Sequence, residues 1–271
     1  MPSAEATTGT HSAERPLAFA LSSDAELAVR AAHAAGDLLL QRYQRPAREV
    51  TSKTSATDPV SEADRTAERT VAELLEAERP EDGILAEEGS ARPARSGRRW
   101  VVDPLDGTVN FLYRFPAWCV SIALLDDRGA LVGVVHDPLR GETWTAERGR
   151  GAFLGGQRLL LADPPPLERA LVATGFSYSP DLRARQGQTV ARLLPQVRDI
   201  RRAGAAALDL AWLAAGRVDA YYERGLKPWD WAAGRLIAEE AGAAVAELPG
   251  QPYGIAVAHP RLLGALLELV A

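Results

Sequence analysis

The stretch WVVDPLDGTVNF, residues 100 to 111, runs an apolar segment straight into two carboxylates, Asp103 and Asp106, with a glycine and a threonine behind them. Two carboxylates held close repel, and one takes up a proton unless a cation is present. A hard, oxygen-preferring ion such as Mg²⁺ removes that conflict. Pro104 stiffens the turn, and Gly107 lets the amides of 107 and 108 approach an anion. Thr108 adds a hydroxyl that can orient water. Two more carboxylates share the setting: Glu87 after the apolar GILA, and Asp230 at the start of DWAAGRLIAEEAG. Strand ends and helix starts are where functional side chains converge. Taken alone, each piece has a plainer reading. DPLDG is a turn, Asp230 an N-cap, Glu87-Glu88 a solvated pair, Asp64 a complement to a helix dipole and Lys53 a surface lysine.

The elements that must position these groups follow from periodicity. Ser23-Asp24-Ala25-Glu26 has capping-box spacing and opens a helix to about Arg42. A second helix, from about Ser61 to Ala77, carries the apolar seam Val60, Ala63, Ala67, Val71, Leu74, Leu75, and Asp64 falls on that inward face. GILAEEGS reads as a short strand ending in Glu87 and Glu88, and RWVVDP as a strand that releases Asp103 and Asp106 at its end. WCVSIALLD and ALVGVVHDP form a meander through Asp127-Arg128-Gly129, and ETWTAERGRGAFLGG continues it. Beyond a proline-rich loop come a strand ALVATGF, a helix LRARQGQTVARLLPQ, a helix AALDLAWLAAG, a strand VDAYYE, a helix after Asp230, strands AAVAEL and GIAVAH, and a terminal helix. The meander rules out a simple parallel doubly wound sheet. The expected fold is α/β (α+β), a layered αβαβα sandwich with mixed or antiparallel sheets. Residues 1–22 read as a flexible tail and 23–271 as one domain of two packed lobes, about 23–160 and 161–271.

Composition narrows the function. The 271 residues are 46% hydrophobic and 25% charged, ordinary for a globular chain. A net charge of −5 gives no bulk case for nucleic acid or an anionic membrane, and no apolar run is long enough to span a bilayer. The single cysteine, Cys119, excludes an intramolecular disulfide framework and fits a reducing, cytoplasmic setting. The histidines His33, His136 and His259 read as structural or exposed, and no Ser-His-Asp or Cys-His arrangement emerges.

WVVDPLDGTVNF, with AEEGS before it and RRAGAAALDLAWLAAGRVDAYYERG and KPWDWAAGRLIAEEAGA after it, resembles the inositol monophosphatase family of Mg²⁺-dependent, lithium-sensitive phosphatases. The resemblance runs from about Lys53 to Gly242. It implies a sugar-phosphatase-like fold and a homodimer acting on a small-molecule phosphate ester. It implies that Glu87, Asp103 and the carbonyl of Leu105 bind one Mg²⁺, and Asp103, Asp106 and Asp230 a second. Glu87 and Thr108 would hold the nucleophilic water, with Asp64 supporting Thr108. Asp106 and the amides of Gly107 and Thr108 would meet the phosphate, while Gly204, Ala206 and Glu223 would face the alcohol. Lys53 and Asp58 match a loop bearing on a weaker third ion. The chain departs from common family residues at Ala205, Val109 and Lys227-Pro228, without losing an expected ligand. The expected reaction is hydrolysis of a small polyol phosphate, foremost inositol monophosphate. Rivals are histidinol phosphate, fructose 1,6-bisphosphate or a nucleotide 3′-phosphate as substrate, or a regulatory binding protein on the same fold. Loss of Asp103, Asp64 or Thr108 would favour that last reading, and all three are present.

Overall fold

The computed structural model describes residues 20–43 and 62–271, with the backbone alone at 51–52 and 59–60. Helices α1 (Ser23–Tyr43) and α2 (Glu62–Glu78) lie where their seams predict. The cap of α1 is Ser22 rather than Ser23. Ser22 Oγ accepts from Ala25 N at 3.3 Å and the Ser22 carbonyl from Glu26 N at 2.9 Å. The remaining helices are α3 (Thr108–Tyr113), α4 (Pro180–Leu193), α5 (Ala206–Ala214), α6 (Pro228–Glu240) and α7 (Pro260–Val270).

Strands β1 (Thr51–Ser52) and β2 (Pro59–Val60) form a small antiparallel ladder. An eight-stranded sheet is built from β3 (Gly83–Ala86), β4 (Ala91–Arg92), β5 (Arg99–Asp106), β6 (Cys119–Asp126), β7 (Gly129–Asp137), β8 (Glu142–Glu147), β9 (Gly151–Leu154) and β10 (Gln157–Leu159). Its order is β10-β9-β8-β7-β6-β5-β3-β4, parallel between β3 and β5 and antiparallel elsewhere. A five-stranded sheet takes β11 (Leu171–Thr174), β12 (Asp199–Arg201), β13 (Ala220–Arg224), β14 (Ala244–Glu247) and β15 (Gly254–Ala258) in the order β12-β11-β13-β15-β14. There β11 runs parallel to both neighbours and β15 antiparallel to both.

The cores show the layering. Leu27, Ala31, Ala35 and Leu39 of α1 and Ala67, Val71 and Leu75 of α2 pack on Trp100, Val102, Ile122 and Val134 of the large sheet. Its other face meets α5 and α6 through Val101, Ala123, Val135, Leu208, Ala211, Ala233 and Ile237. The opposite sides of these two helices, with Leu210, Leu213 and Ala238, cover Ala173, Tyr221 and Val257 of the small sheet. Leu193 of α4 and Leu262 and Leu266 of α7 close the outer face over Val172, Tyr222 and Ala256. The order is therefore α1/α2, large sheet, α5/α6, small sheet, α4/α7, the αβαβα sandwich expected from the sequence. Layers on both sides explain why α5 and α6 are rich in small residues and why α5 is apolar almost all round.

Several boundaries differ from the sequence reading. Strand β5 runs on through Asp106, whereas the sequence reading ends it at Pro104. Asp230 is the third residue of α6, not its cap, because Pro228 supplies the first turn. Short α3, β10 and β12 carry too few residues to show a period. No helix among the described residues is long and apolar enough to cross a membrane.

Candidate active site

The spacing of Asp103 and Asp106 poses a geometric problem, since residues three apart on a regular strand point to opposite faces. A bulge solves it. Asp103 pairs with Ser121 and Asp106 with Cys119, so three steps on β5 match two on β6. The alternation resets in between. Trp100 and Val102 face α1 and α2, Val101 faces α5 and α6, and Leu105 returns to the α1/α2 side. Asp103 and Asp106 thus share one face and line one cavity of about 160 Å³ with Glu87, Leu105, Thr108 and Asp230. Pro104 fits the bulge, where a missing N–H costs the ladder little. Asp103 Oδ1 accepts from Leu105 N at 3.0 Å and fixes the kink.

Gly107 follows with φ 96° and ψ 36°, a left-handed conformation that favours glycine, and a Cβ there would meet Ala117 O at 2.9 Å. The chain turns through it into α3. Thr108 opens that helix, and its hydroxyl donates to Asp64 Oδ1 at 2.8 Å, with Leu105 O at 3.2 Å. Asp64 is fully buried on α2, as its place on the seam predicts. Asn110 Nδ2 donates to Ala117 O at 2.6 Å and Ala203 O at 2.8 Å, tying α3 to the segment that leads into α5.

Helix starts on the far side of the cavity engage the remaining carboxylates. Ala205 gives α5 no side-chain cap; Asp106 Oδ2 takes that place by accepting from Ala207 N at 2.8 Å. Asp230 Oδ2 accepts from Lys227 N at 2.6 Å, which holds the acid at the mouth of α6. In this arrangement no three His, Cys, Asp or Glu side chains among the described residues form a tight ligand cluster.

The electrostatics of the cavity favour a positive charge. Burial, then repulsion from Glu87, Asp106 and Asp230, pushes the Asp103 carboxyl well above its ordinary value. Burial also raises Asp230 strongly, against the Lys227 amide, with Asp106 and Glu87 adding to the rise. Asp106 rises to about 7 through burial and Glu87, although the Ala207 amide opposes it. All donors are oxygens and most are carboxylates, the chemistry that suits a hard divalent cation such as Mg²⁺.

Another part of the cavity lining is formed by Glu223 near the end of β13, Gly204 and Ala206 at the start of α5, and Arg202. Tyr221 OH donates to Glu223 Oε2 at 2.9 Å, and the carboxyl packs on Gly175, where any side chain would collide with it. Burial raises Glu223 to about 7 against Tyr221 and Arg202, which lower it. Arg202 stands over the Phe176 ring at 5.9 Å from its centroid.

The cavity thus gathers Glu87, Asp103, Leu105, Asp106, Gly107, Thr108, Gly204, Ala206, Glu223 and Asp230, with Asp64 behind Thr108. Lys53 and Asp58 lie outside the described residues. Sequence reasoning missed Tyr221, Gly175, Arg202 and Asn110. Tyr221, two before Glu223 on one strand face, carried a usable period-two signal. The other three carried no such pattern, although Arg202 and Asn110 each lie two residues from a site residue in the sequence.

Comparison with known proteins gives the family. Residues 20–270 match the model of the inositol monophosphatase family. A relative from Escherichia coli strain K12 named Nus factor SuhB is 40% identical over 252 residues, covering 89% of this chain and 93% of its own. An inositol-1-monophosphatase of Mycobacterium leprae is 44% identical over 234 residues, 80% of each chain. The crystal structure of extragenic suppressor protein suhB from Bartonella henselae superposes with a TM-score of 0.87 at 36% identity, covering 92% of this chain and 98% of the other. Family membership supports a phosphatase, and matches of this extent in sequence and fold lead to one conclusion: the chain belongs to the inositol monophosphatase family.

Proposed function

We propose that this protein hydrolyses small polyol phosphate monoesters, foremost inositol monophosphate, to the free alcohol and phosphate with Mg²⁺. One observation carries the reading: Glu87, Asp103, Asp106 and Asp230 share a cavity with Thr108, whose hydroxyl is bonded to Asp64. Glu87, Asp103 and the Leu105 carbonyl would hold one ion, and Asp103, Asp106 and Asp230 a second. Mg²⁺, when bound, supplies the positive charge that activates water and stabilises negative charge on the phosphoryl and leaving oxygens.

The chain's own residues do the positioning. Thr108 Oγ1 directs its proton to Asp64, so its lone pairs can accept from a water in the cavity. Glu87 provides a second acceptor, and two acceptors fix the water for in-line attack. The amides of Gly107 and Thr108 would donate to phosphate oxygens. Glu223 would accept hydrogen bonds from substrate hydroxyls beside Gly204 and Ala206, a role that a carboxylate fills well. A weaker third ion at Lys53 and Asp58, sensitivity to Li⁺, a homodimer and a cytoplasmic location belong to the same proposal.

Phosphate release from a panel of polyol, sugar, histidinol, nucleotide and aryl phosphates, with and without Mg²⁺, tests the reading and ranks the substrates. A second reading draws on the words Nus factor in the name of the Escherichia coli relative: a regulatory role in which turnover is dispensable. A purified protein that hydrolyses no member of the panel at saturating Mg²⁺ would favour it.

A further inference from the structure

Helix α2 contributes two buried carboxylates one turn apart. Asp64 bonds Thr108, as described. Glu68, four residues on and 4% exposed, accepts from Glu88 N at 2.6 Å on Oε2 and from Ser90 N at 2.8 Å on Oε1. Those amides belong to the loop that carries Glu87. Ala86 N donates to Ser90 O at 2.9 Å and closes the loop's base, while Glu87 N donates to Val102 O at 3.2 Å and anchors one side to β5. Residues Glu87 to Gly89 stand out from that base, and Gly89 turns the chain with φ 117°. The Glu88 and Ser90 amides point back at α2 and each meets one oxygen of Glu68.

We propose that Glu68 is a positioning residue for this active site, holding Glu87 in the cavity through the backbone of the Glu87–Ser90 loop. Hydrogen bonds from N–H groups to a carboxylate are shorter and about twice as strong as neutral ones. Two of them from one side chain fix the loop in both position and rotation. Residues i and i+4 lie on one helix face, separated by about 6 Å along the axis. One rigid face of α2 therefore sets both protein groups that meet the attacking water: Thr108 through Asp64, and Glu87 through Glu68. A role confined to stabilising the turn would lower the melting temperature and leave ion affinity and turnover alone. A positioning role moves both.

The test is Mg²⁺ binding to the full-length protein by calorimetry, with kcat and KM on inositol monophosphate measured beside it. Glu68→Gln keeps the shape but turns an N–H donor toward one of the two loop amides. Groups that orient metal ligands typically change metal affinity or activity by about ten- to a hundredfold when altered. A Mg²⁺ Kd weakened by that factor, and kcat reduced by a similar factor with KM little changed, is the expected result. Glu68→Asp keeps the charge but falls one methylene short, and should be intermediate. Glu76→Gln, which alters an exposed residue of α2 paired with Arg92 at 3.7 Å, should bind Mg²⁺ as the parent does. A folded Glu68→Gln with parental Kd and kcat overturns the inference; should that variant not fold, Glu68→Asp decides on the same two outcomes. The inference rests on the metal-site reading above. A parent that binds no Mg²⁺ overturns both, whereas a parent that binds it while the Glu68 variants match it overturns this one alone.

Discussion

Thr108 Oγ1 lies 2.8 Å from Asp64 Oδ1, and this buried bond joins the start of α3 to the first turn of α2, 44 residues earlier in the chain. The pair fixes which way the hydroxyl points. Asp64→Asn keeps the volume but lets an amide N–H face the hydroxyl, which then has reason to turn its proton into the cavity. A hydrogen bond to a charged group is worth about 1.5–3 kcal/mol, so kcat should fall roughly ten- to a hundredfold. KM should change little, because the pair is not among the proposed alcohol contacts. Steady-state kinetics on inositol monophosphate checks this, and an unchanged kcat would show that the Thr108 proton is irrelevant.

Glu223 offers a separate handle on specificity. It is half-buried, bonded to Tyr221 and packed on Gly175, so its carboxyl has one well-defined placement. Glu223→Gln turns one acceptor into a donor, and catalytic efficiency on inositol monophosphate should drop about ten- to a hundredfold. An aryl phosphate lacks the hydroxyls and should be hydrolysed almost as before. The quantity to compare is the ratio of the two efficiencies in variant and parent; an equal ratio would remove Glu223 from the alcohol site.

Acid stability should depend on His136, which is remote from the cavity. Burial and then the neighbouring His33, at 4.4 Å between ring centroids, lower its pKa from 6.5 to about 4, while the Glu142 carbonyl and Asp37 oppose the shift. The unfolded chain therefore takes up this proton first as pH falls. The stabilisation is whole above about pH 6.5 and is lost progressively toward pH 4, amounting to at most about 3 kcal/mol. Denaturant titrations between pH 7 and 4 should show a shallower pH slope for His136→Gln than for the parent. Parallel slopes would mean that His136 titrates normally.

The legible part of the site was which residues the cavity gathers, and the illegible part the scaffolding that brings them there. DPLDGT, the upstream Glu87 and the downstream Asp230 stand out because carboxylates rarely follow buried strands without a partner. The seam of α2 also put Asp64 indoors correctly. The bulge in β5 was hidden, because a proline after Asp103 reads locally as the end of a strand and only pairing with β6 reveals that the strand continues. The same holds for Asp106 as the cap of α5. With Ala205 at the cap position, the local sequence names no capping group, and the carboxylate arrives from 101 residues away. Glu68 looked like one more helix glutamate, since its partners are backbone amides 20 and 22 residues on. The layer order was readable because periodicity and the meander report burial directly, whereas α3, β10 and β12 are too short to carry a period.

Asp103 offers the sharpest test, since it flanks the bulge and is proposed to bind both ions. Phosphate release from inositol monophosphate should be measured for the parent and Asp103→Asn across a Mg²⁺ titration, with folding checked by circular dichroism. The account predicts Mg²⁺-dependent release by the parent and none above background by a folded Asp103→Asn at any Mg²⁺ concentration. Near-parental release by that variant, or release by the parent that persists in excess chelator, would contradict it.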